Sequence, residues 1–156
     1  PSSEQMSEIA ISSARVVRLF GFDPKVAFVS HSTFGQPVTS RTKHIRKAVD
    51  ILKEKNVDFE FDGDMQPDVA LNKEYKNLYP FSNIVGNANI LIMPGQHSAA
   101  ISYKMMKELG DTKVIGPLLI GLGLPIEIAP LRTSTSELIN LASIAAYSAD
   151  IINYKK

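Results

Sequence analysis

Along Ser3–Phe20, the residues Met6, Ile9, Ala10, Ser13, Val17 and Phe20 fall at three- and four-residue spacings and predict an amphipathic helix with one buried face. Ser2 or Ser3 can cap its start, and Gly21 followed by Pro24 ends it. Val26–Ser30 is a short, continuous apolar run, the pattern of a strand covered on both faces. A polar loop, His31–Val38, leads to a second helix from Ser40 to Lys55. There Ile45, Ala48, Val49 and Leu52 form the inner stripe, with Lys and Arg outside. Val57, Phe59 and Phe61 alternate with Asp58, Glu60 and Asp62, a strand period closed by a turn at Gly63. A short helix is expected around Gln66–Asn72, then irregular chain from Lys73 to Asn89. Ile90–Met93 reads as a buried strand closed by Pro94 and Gly95, and Ser98–Leu109 as a helix with Ala99, Ala100, Tyr103, Met106 and Leu109 available to a core. Short strands are expected at Val114–Ile120, interrupted near Gly116–Pro117, and at Ile126–Ile128. Ser134 with Glu137 makes a capping box for a last helix reaching Asn153.

Helices and short buried strands thus alternate throughout. The pattern implies a single α/β domain over residues 1–156, a three-layer α/β/α sandwich with a mostly parallel sheet. At 156 residues such a domain buries roughly 70% of its unfolded surface. Its 44% hydrophobic and 21% charged residues are ordinary globular values. Seventeen Lys and Arg against sixteen Asp and Glu leave a net charge of +1, which gives no expectation of a nucleic-acid partner. No cysteine is present, so thiol nucleophiles, zinc–thiolate sites and iron–sulfur clusters are excluded, and a reducing cytoplasm fits. No apolar stretch has the length of a membrane span, and no basic-then-apolar leader opens the chain. The chain begins at Pro1 with a helix that has no strand before it, and is expected to be part of a longer protein.

In such a sheet, ligands bind beyond the carboxyl ends of the strands. Four loops qualify. Ser30-His31-Ser32-Thr33-Phe34-Gly35-Gln36 offers hydroxyls, a glycine and a following helix start, which suit an anion such as a phosphate; a plain strand-to-helix turn with hydroxyl caps explains the same residues and is favoured by the sequence alone. Asp62, Asp64 and Asp68 together have the oxygen chemistry of a divalent-metal site, but not the spacing of a calcium loop, and a capped turn is the better reading. The segment from Gly116 through Gly121 and Gly123 to Pro125 is glycine-rich without opening a helix, so it is no dinucleotide fingerprint. Arg132, at the start of the last helix, can pair with a phosphate or stand as a solvated loop charge. His31, His44 and His97 show no zinc spacing, and His44 is expected in solvent on the charged helix face.

Several runs in order, namely Asp62-Gly-Asp-Met-Gln-Pro-Asp68, Gly86-Asn-Ala-Asn89 leading to Pro94, Ser102-Tyr103-Lys104, Leu109-Gly110 and Ile115-Gly-Pro-Leu-Leu-Ile-Gly121, resemble the phosphate acetyl/butyryltransferases from about Ser7 to Ala149. Ser32-Thr33-Phe34-Gly35 is similar to that family's Ser-Thr-x-Gly-Ser loop, with Gln36 in place of the last Ser. The resemblance implies the second lobe of a two-lobed, isocitrate/isopropylmalate dehydrogenase-like unit, whose cleft takes a coenzyme A ester. It also carries departures. Where the family has its catalytic Ser and Arg, this chain has Pro130 and Leu131, with Arg132 one place late, and Glu137 stands near the place of an Asp. The resemblance therefore implies a degenerate acyltransfer site and no catalysis by this chain alone.

The His-Ser-Thr-Phe-Gly loop and the Asp-Gly-Asp-Met-Gln turn resemble most the transacetylase-like C-terminal domain of bacterial hybrid NADP-dependent malic enzymes. That branch implies a homo-oligomer in the cytoplasm, acetyl-CoA as an effector, and NADP with a divalent metal (Mg or Mn) held by another domain. The ligand-binding residues it implies here are Ser32, Thr33, Gly35 and Arg132, with Gly116, Pro117 and Gly121 behind them. A genuine phosphate acyltransferase and a purely structural assembly domain are the alternatives.

Overall fold

The computed structural model describes residues 1–111 and 113–154. Their contacts fall into two compact units, Pro1–Ser102 and Tyr103–Lys156, each described by itself below.

The first unit contains α1 (Ser3–Leu19), β1 (Lys25–Val29), α2 (Ser40–Glu54), β2 (Glu60–Met65), α3 (Pro67–Leu71), α4 (Lys73–Lys76) and β3 (Ile90–Ile92). The strands form a parallel sheet in the order β2-β1-β3, with β1 in the centre. Four of the five β1 residues are buried, as expected of a strand covered on both faces. On one side, Val26, Phe28, Ile90 and Ile92 pack with Met6, Ala10 and Ala14 of α1 and Ile45, Ala48, Val49 and Leu52 of α2. On the other, Ala27 and Met65 pack with Val69 and Ala70 of α3 and with Ile84 and Ala88 of the following loop. The sheet thus has apolar cover on both faces, the α/β layering that the alternating pattern predicts.

Details of α1 differ from the periodic expectation. Its buried residues are Ser3, Met6, Ser7, Ala10 and Ala14, while Ile9 and Phe20 are exposed. Small residues win this face because α1 lies close against α2: Ser3 Oγ donates to the His44 carbonyl at 2.8 Å and meets His44 Nδ1 at 3.1 Å. His44 is exposed, as expected, while its ring also reaches the chain start, its Nε2 meeting the Pro1 carbonyl oxygen at 3.1 Å. Ser2 caps α1 through a reciprocal box with Gln5.

Strand β2 is displaced from the alternating run. It begins at Glu60 and continues through Gly63 to Met65, where a turn was expected. Phe28 pairs with Gly63 and Val29 with Met65, so Asp64 is the extra residue of a bulge. A Cβ on Gly63 would lie 2.7 Å from Phe28 Cβ and 2.8 Å from its carbonyl oxygen, at a φ of +153°. Only glycine lets the two backbones meet there. The irregular chain after α4 is held to the sheet by side-chain oxygens: Asn83 N–H donates to Asp62 Oδ2 (2.7 Å), Val85 N–H to Glu60 Oε2 (2.6 Å) and Lys25 N–H to Asn89 Oδ1 (2.8 Å).

Helix α5 (Gln96–Leu109) begins in the first unit and ends in the second. None of its residues is buried, and Met106 and Leu109, expected to face a core, are 59% and 81% exposed. Apolar periodicity specifies a stripe but not a partner for it. In the second unit the strands expected around Gly116–Pro117 and at Ile126–Ile128 do not form. Among the described residues only one isolated antiparallel bridge joins Leu118 to Glu127. Pro117, Pro125 and Pro130 contribute no N–H to a ladder, and the segment stays irregular. Helix α6 (Thr135–Tyr154) follows the expected Ser134 cap. No helix among the described residues is long and apolar enough to cross a membrane.

Gly63→Ala is expected to destabilise the protein by about 2–4 kcal/mol, through the clash with Phe28 and the unfavourable φ. Urea denaturation of the two forms measures this.

Candidate functional site

The chain leaves β1 at the point where the sheet order reverses: β2 lies on one side of β1 and β3 on the other. Ligands of open α/β sheets bind at this topological switch point. The residues there form a tight hairpin. Thr33 and Gln36 pair through both backbone hydrogen bonds (3.3 and 3.1 Å), with Phe34 and Gly35 between them at φ +49° and +84°. Positive φ at both central residues is the pattern of a type I′ turn. For Phe34 this conformation is held by packing, its ring lying 4.8 Å from Phe81 and 5.4 Å from Tyr79 between centroids.

The bulge of β2 clasps the same hairpin. Phe34 N–H donates to the Asp64 carbonyl (2.6 Å), Ser30 N–H to the Met65 carbonyl (2.9 Å) and Gln66 N–H to Thr33 Oγ1 (3.2 Å). Gln66 Nε2 donates to the His31 carbonyl at 2.9 Å. Two buried polar groups in this region stay unpaired. Ser32 Oγ and both carboxylate oxygens of Asp64 are fully buried without a hydrogen-bond partner. The nearest cation to Asp64 is Arg46 of α2, whose Nε stands 3.9 Å from Oδ1, an ion pair without a hydrogen bond.

Ser32, Thr33 and Gly35, read from the sequence, therefore belong to one hairpin at the switch point. Arg46 and the special position of Asp64 were not read. Arg46 lies on the polar face of a helical pattern, and nothing in that pattern marks it off from its solvated neighbours. The three aspartates considered as metal ligands diverge. Asp62 Oδ1 accepts from Gly63 N–H and Oδ2 from Asn83 N–H, Asp68 Oδ1 accepts from Val69 N–H, and Asp64 faces Arg46. Among the described residues no group of three His, Asp or Glu side chains is arranged for a metal ion.

In the second unit Arg132 and Gly116 line one cavity of about 100 Å³ together with Tyr103, Lys107, Thr133 and Glu137. Pro117 and Gly121 lie in the same irregular segment but not in the cavity lining. Glu137 is fully committed. Ser134 N–H and Oγ donate to its Oε2 at 2.7 and 2.8 Å, and Lys107 Nζ donates to Oε1 at 3.4 Å. The Ser134 backbone bond, then the Ser134 hydroxyl and Lys107, hold the Glu137 carboxyl below its ordinary value. Leu131, next to Arg132 in the chain, is fully exposed.

With this geometry in place the comparisons are direct. The chain belongs to the family described as Phosphate acetyl/butaryl transferase, whose model matches residues 1–146. It is 48% identical over 149 residues to an NADP-dependent malic enzyme of Rhizobium meliloti (strain 1021), covering 96% of this chain and 20% of that protein. It is 35% identical over 150 residues to a phosphate acetyltransferase of Bacillus subtilis (strain 168), covering 96% of this chain and 46% of the enzyme. Among solved structures, a phosphotransacetylase from Streptococcus pyogenes matches with a TM-score of 0.90 at 33% identity, over 96% of this chain and 46% of that one. The chain spans about a fifth of the length of the malic enzymes it matches.

Because the Glu137 carboxyl is lowered by partners present only in the folded protein, its contribution is complete above the ordinary carboxylate range and is lost as pH falls through its depressed value. The first turn of α6 is expected to lose amide-exchange protection in acid, and Glu137→Gln to remove that pH dependence. Nuclear magnetic resonance exchange measurements on the two forms check this.

Proposed function

We propose that this lobe is part of an NADP-dependent malic enzyme and serves it in regulation and assembly rather than in acyl transfer. The parent reaction is the oxidative decarboxylation of malate to pyruvate in the cytoplasm, with NADP and a divalent metal, Mg or Mn, held outside this chain. The observation that carries the reading is the 48% identity to the Rhizobium meliloti malic enzyme over nearly the whole chain. Two structural features support the loss of acyl transfer. Pro130 and Leu131 supply neither the hydroxyl nor the guanidinium that would stabilise a tetrahedral acyl intermediate, and Glu137 is occupied by Ser134 and Lys107.

In this reading a coenzyme A ester, acetyl-CoA, is the effector of a homo-oligomer. Ser32, Thr33 and Gly35 of the first unit and Arg132 of the second are its candidate contacts, with Gly116, Pro117 and Gly121 behind them. The effector acts by binding one subunit arrangement more tightly than another, since equal affinity for both shifts nothing. A second reading, genuine phosphate acyl transfer, is favoured by one observation: Arg132 lines a cavity in which Lys107 is paired with Glu137, leaving the Arg132 guanidinium to meet an anion.

Malate-dependent NADPH formation by the full-length protein, followed with and without acetyl-CoA, tests the first reading. A change in rate or in the malate concentration for half-maximal rate is expected, and no change at saturating acetyl-CoA overturns it. Formation of acetyl-CoA from acetyl phosphate and coenzyme A, abolished by Arg132→Ala, would establish the second reading instead.

A further inference from the structure

Strand β2 is the outer strand of its sheet. One of its edges pairs with β1, and among the described residues no strand pairs with the other. An open groove of about 670 Å³ is lined by residues 57–61, which are the approach to β2 and its first two residues, together with Leu52, Lys53 and Asn56 at the end of α2, and Asn83. Five consecutive residues thus border it. The face of a strand presents only alternate residues, so a groove bordered by consecutive ones follows the backbone edge. Residues 57–61 hold none of the prolines or lysines that commonly guard such an edge, and the bulge lies farther on, at Asp64. An extended chain added along an open strand edge is a recurring mode of peptide recognition.

The side chains along the edge specify what that chain would carry. Val57, Phe59 and Phe61 are partly buried against the core between the sheet and α1 and α2, the two rings 6.0 Å apart and edge to face. Asp58 and Glu60 alternate with them. The Asp58 side chain is 79% exposed; Arg18 meets one of its oxygens at 3.0 Å, and among the described residues the other has no partner. The Arg18 hydrogen bond holds this carboxyl below its ordinary value, so it is charged at neutral pH. Glu60 meets Lys25 at 3.5 Å. Arg18 and Lys25 belong to α1 and β1, and neither lines the groove; Lys53, the base that does, is drawn to Asp50 at 3.4 Å. The end of α2 adds the negative pole of its dipole. The groove is therefore complementary to a basic chain, whereas a second copy of β2 would set acid against acid.

We propose that the open edge of β2 receives an extended peptide segment of alternating apolar and basic residues, its apolar side chains beside Phe59 and Phe61 and its basic ones beside Asp58 and Glu60. Main-chain hydrogen bonds to the edge supply affinity, and the alternate side chains supply specificity. The inference does not depend on the regulatory reading above.

The full-length protein is titrated with three labelled, end-blocked synthetic peptides, followed by fluorescence anisotropy. One alternates valine and lysine, one alternates valine and glutamate, and one is the valine–lysine peptide N-methylated at every amide, which removes its main-chain donors. The valine–lysine peptide is expected to bind about ten-fold more tightly than either of the others. It is also expected to slow amide exchange in residues 57–61, read by mass spectrometry. Asp58→Lys, which gives up only an exposed ion pair, is expected to melt near the parent, to bind the valine–lysine peptide more weakly and to bind the valine–glutamate peptide more tightly. The three-peptide comparison needs the parent protein alone, so it stands even if this variant fails to fold. No binding of the valine–lysine peptide, equal binding of all three, or binding that leaves exchange in residues 57–61 unchanged overturns the inference. Slow exchange there that rises with protein concentration and needs no peptide assigns the edge to a second copy, and overturns it as well.

Discussion

The close approach of Phe28 and Gly63 sets the geometry at the end of the sheet. Because no Cβ fits between these backbones, β1 and β2 pair there only through glycine, and the register slips by one residue immediately afterwards. The slip makes Asp64 the unpaired residue of the bulge and brings Met65 opposite Val29. Its carbonyl is then free to take Phe34 N–H, while Met65 takes Ser30 N–H, so the loop after β1 is drawn across the bulge. The hairpin, its positive φ angles and the inward carboxylate follow from one steric fact. Packing then fixes the result: the rings of Phe34, Tyr79 and Phe81 enclose the turn from the other side.

Much of this architecture is legible in the sequence wherever periodicity and burial coincide. Ile45, Ala48, Val49 and Leu52 are spaced as a helix stripe and are buried as one. The Ser134–Glu137 box is local chemistry, and it forms as read. What periodicity misses is determined by contacts distant in sequence. The alternation of Val57, Phe59 and Phe61 indicates a strand, yet the paired segment starts later, because Gly63 and Asp64 are recruited by β1 rather than by their own neighbours. Ile9 and Phe20 have the right spacing but lie outside the face that α1 presents to α2, where small Ser3, Ser7, Ala10 and Ala14 allow close approach.

The candidate site shows the same division. Ser32, Thr33 and Gly35 are legible because hydroxyls and glycine after an apolar strand suggest an anion-friendly turn from sequence alone. Asp64 was visible only as one carboxylate of three, and nothing local separates it from Asp62 and Asp68. The structure separates them by partner: backbone N–H groups satisfy Asp62 and Asp68, and only Asp64 depends on a side-chain cation. Arg46 was invisible for the opposite reason, since a helix pattern assigns all outward cations to solvent.

Helix α2 shows why that assignment fails. Its cations are not equivalent. Lys47 pairs with Glu4 and Lys55 with Glu8, both on α1, and Lys53 pairs with Asp50 on α2 itself. These exposed pairs contribute little stability individually. Arg46 instead faces a carboxylate that has left water entirely, so its loss would strand a buried charge, whereas losing any of the others would not. Stability alone gives no reason to retain such a pair, because an apolar pair of similar volume would serve a buried position as well or better. What an apolar pair would not provide is a cationic side chain that reaches solvent beside the turn after β1.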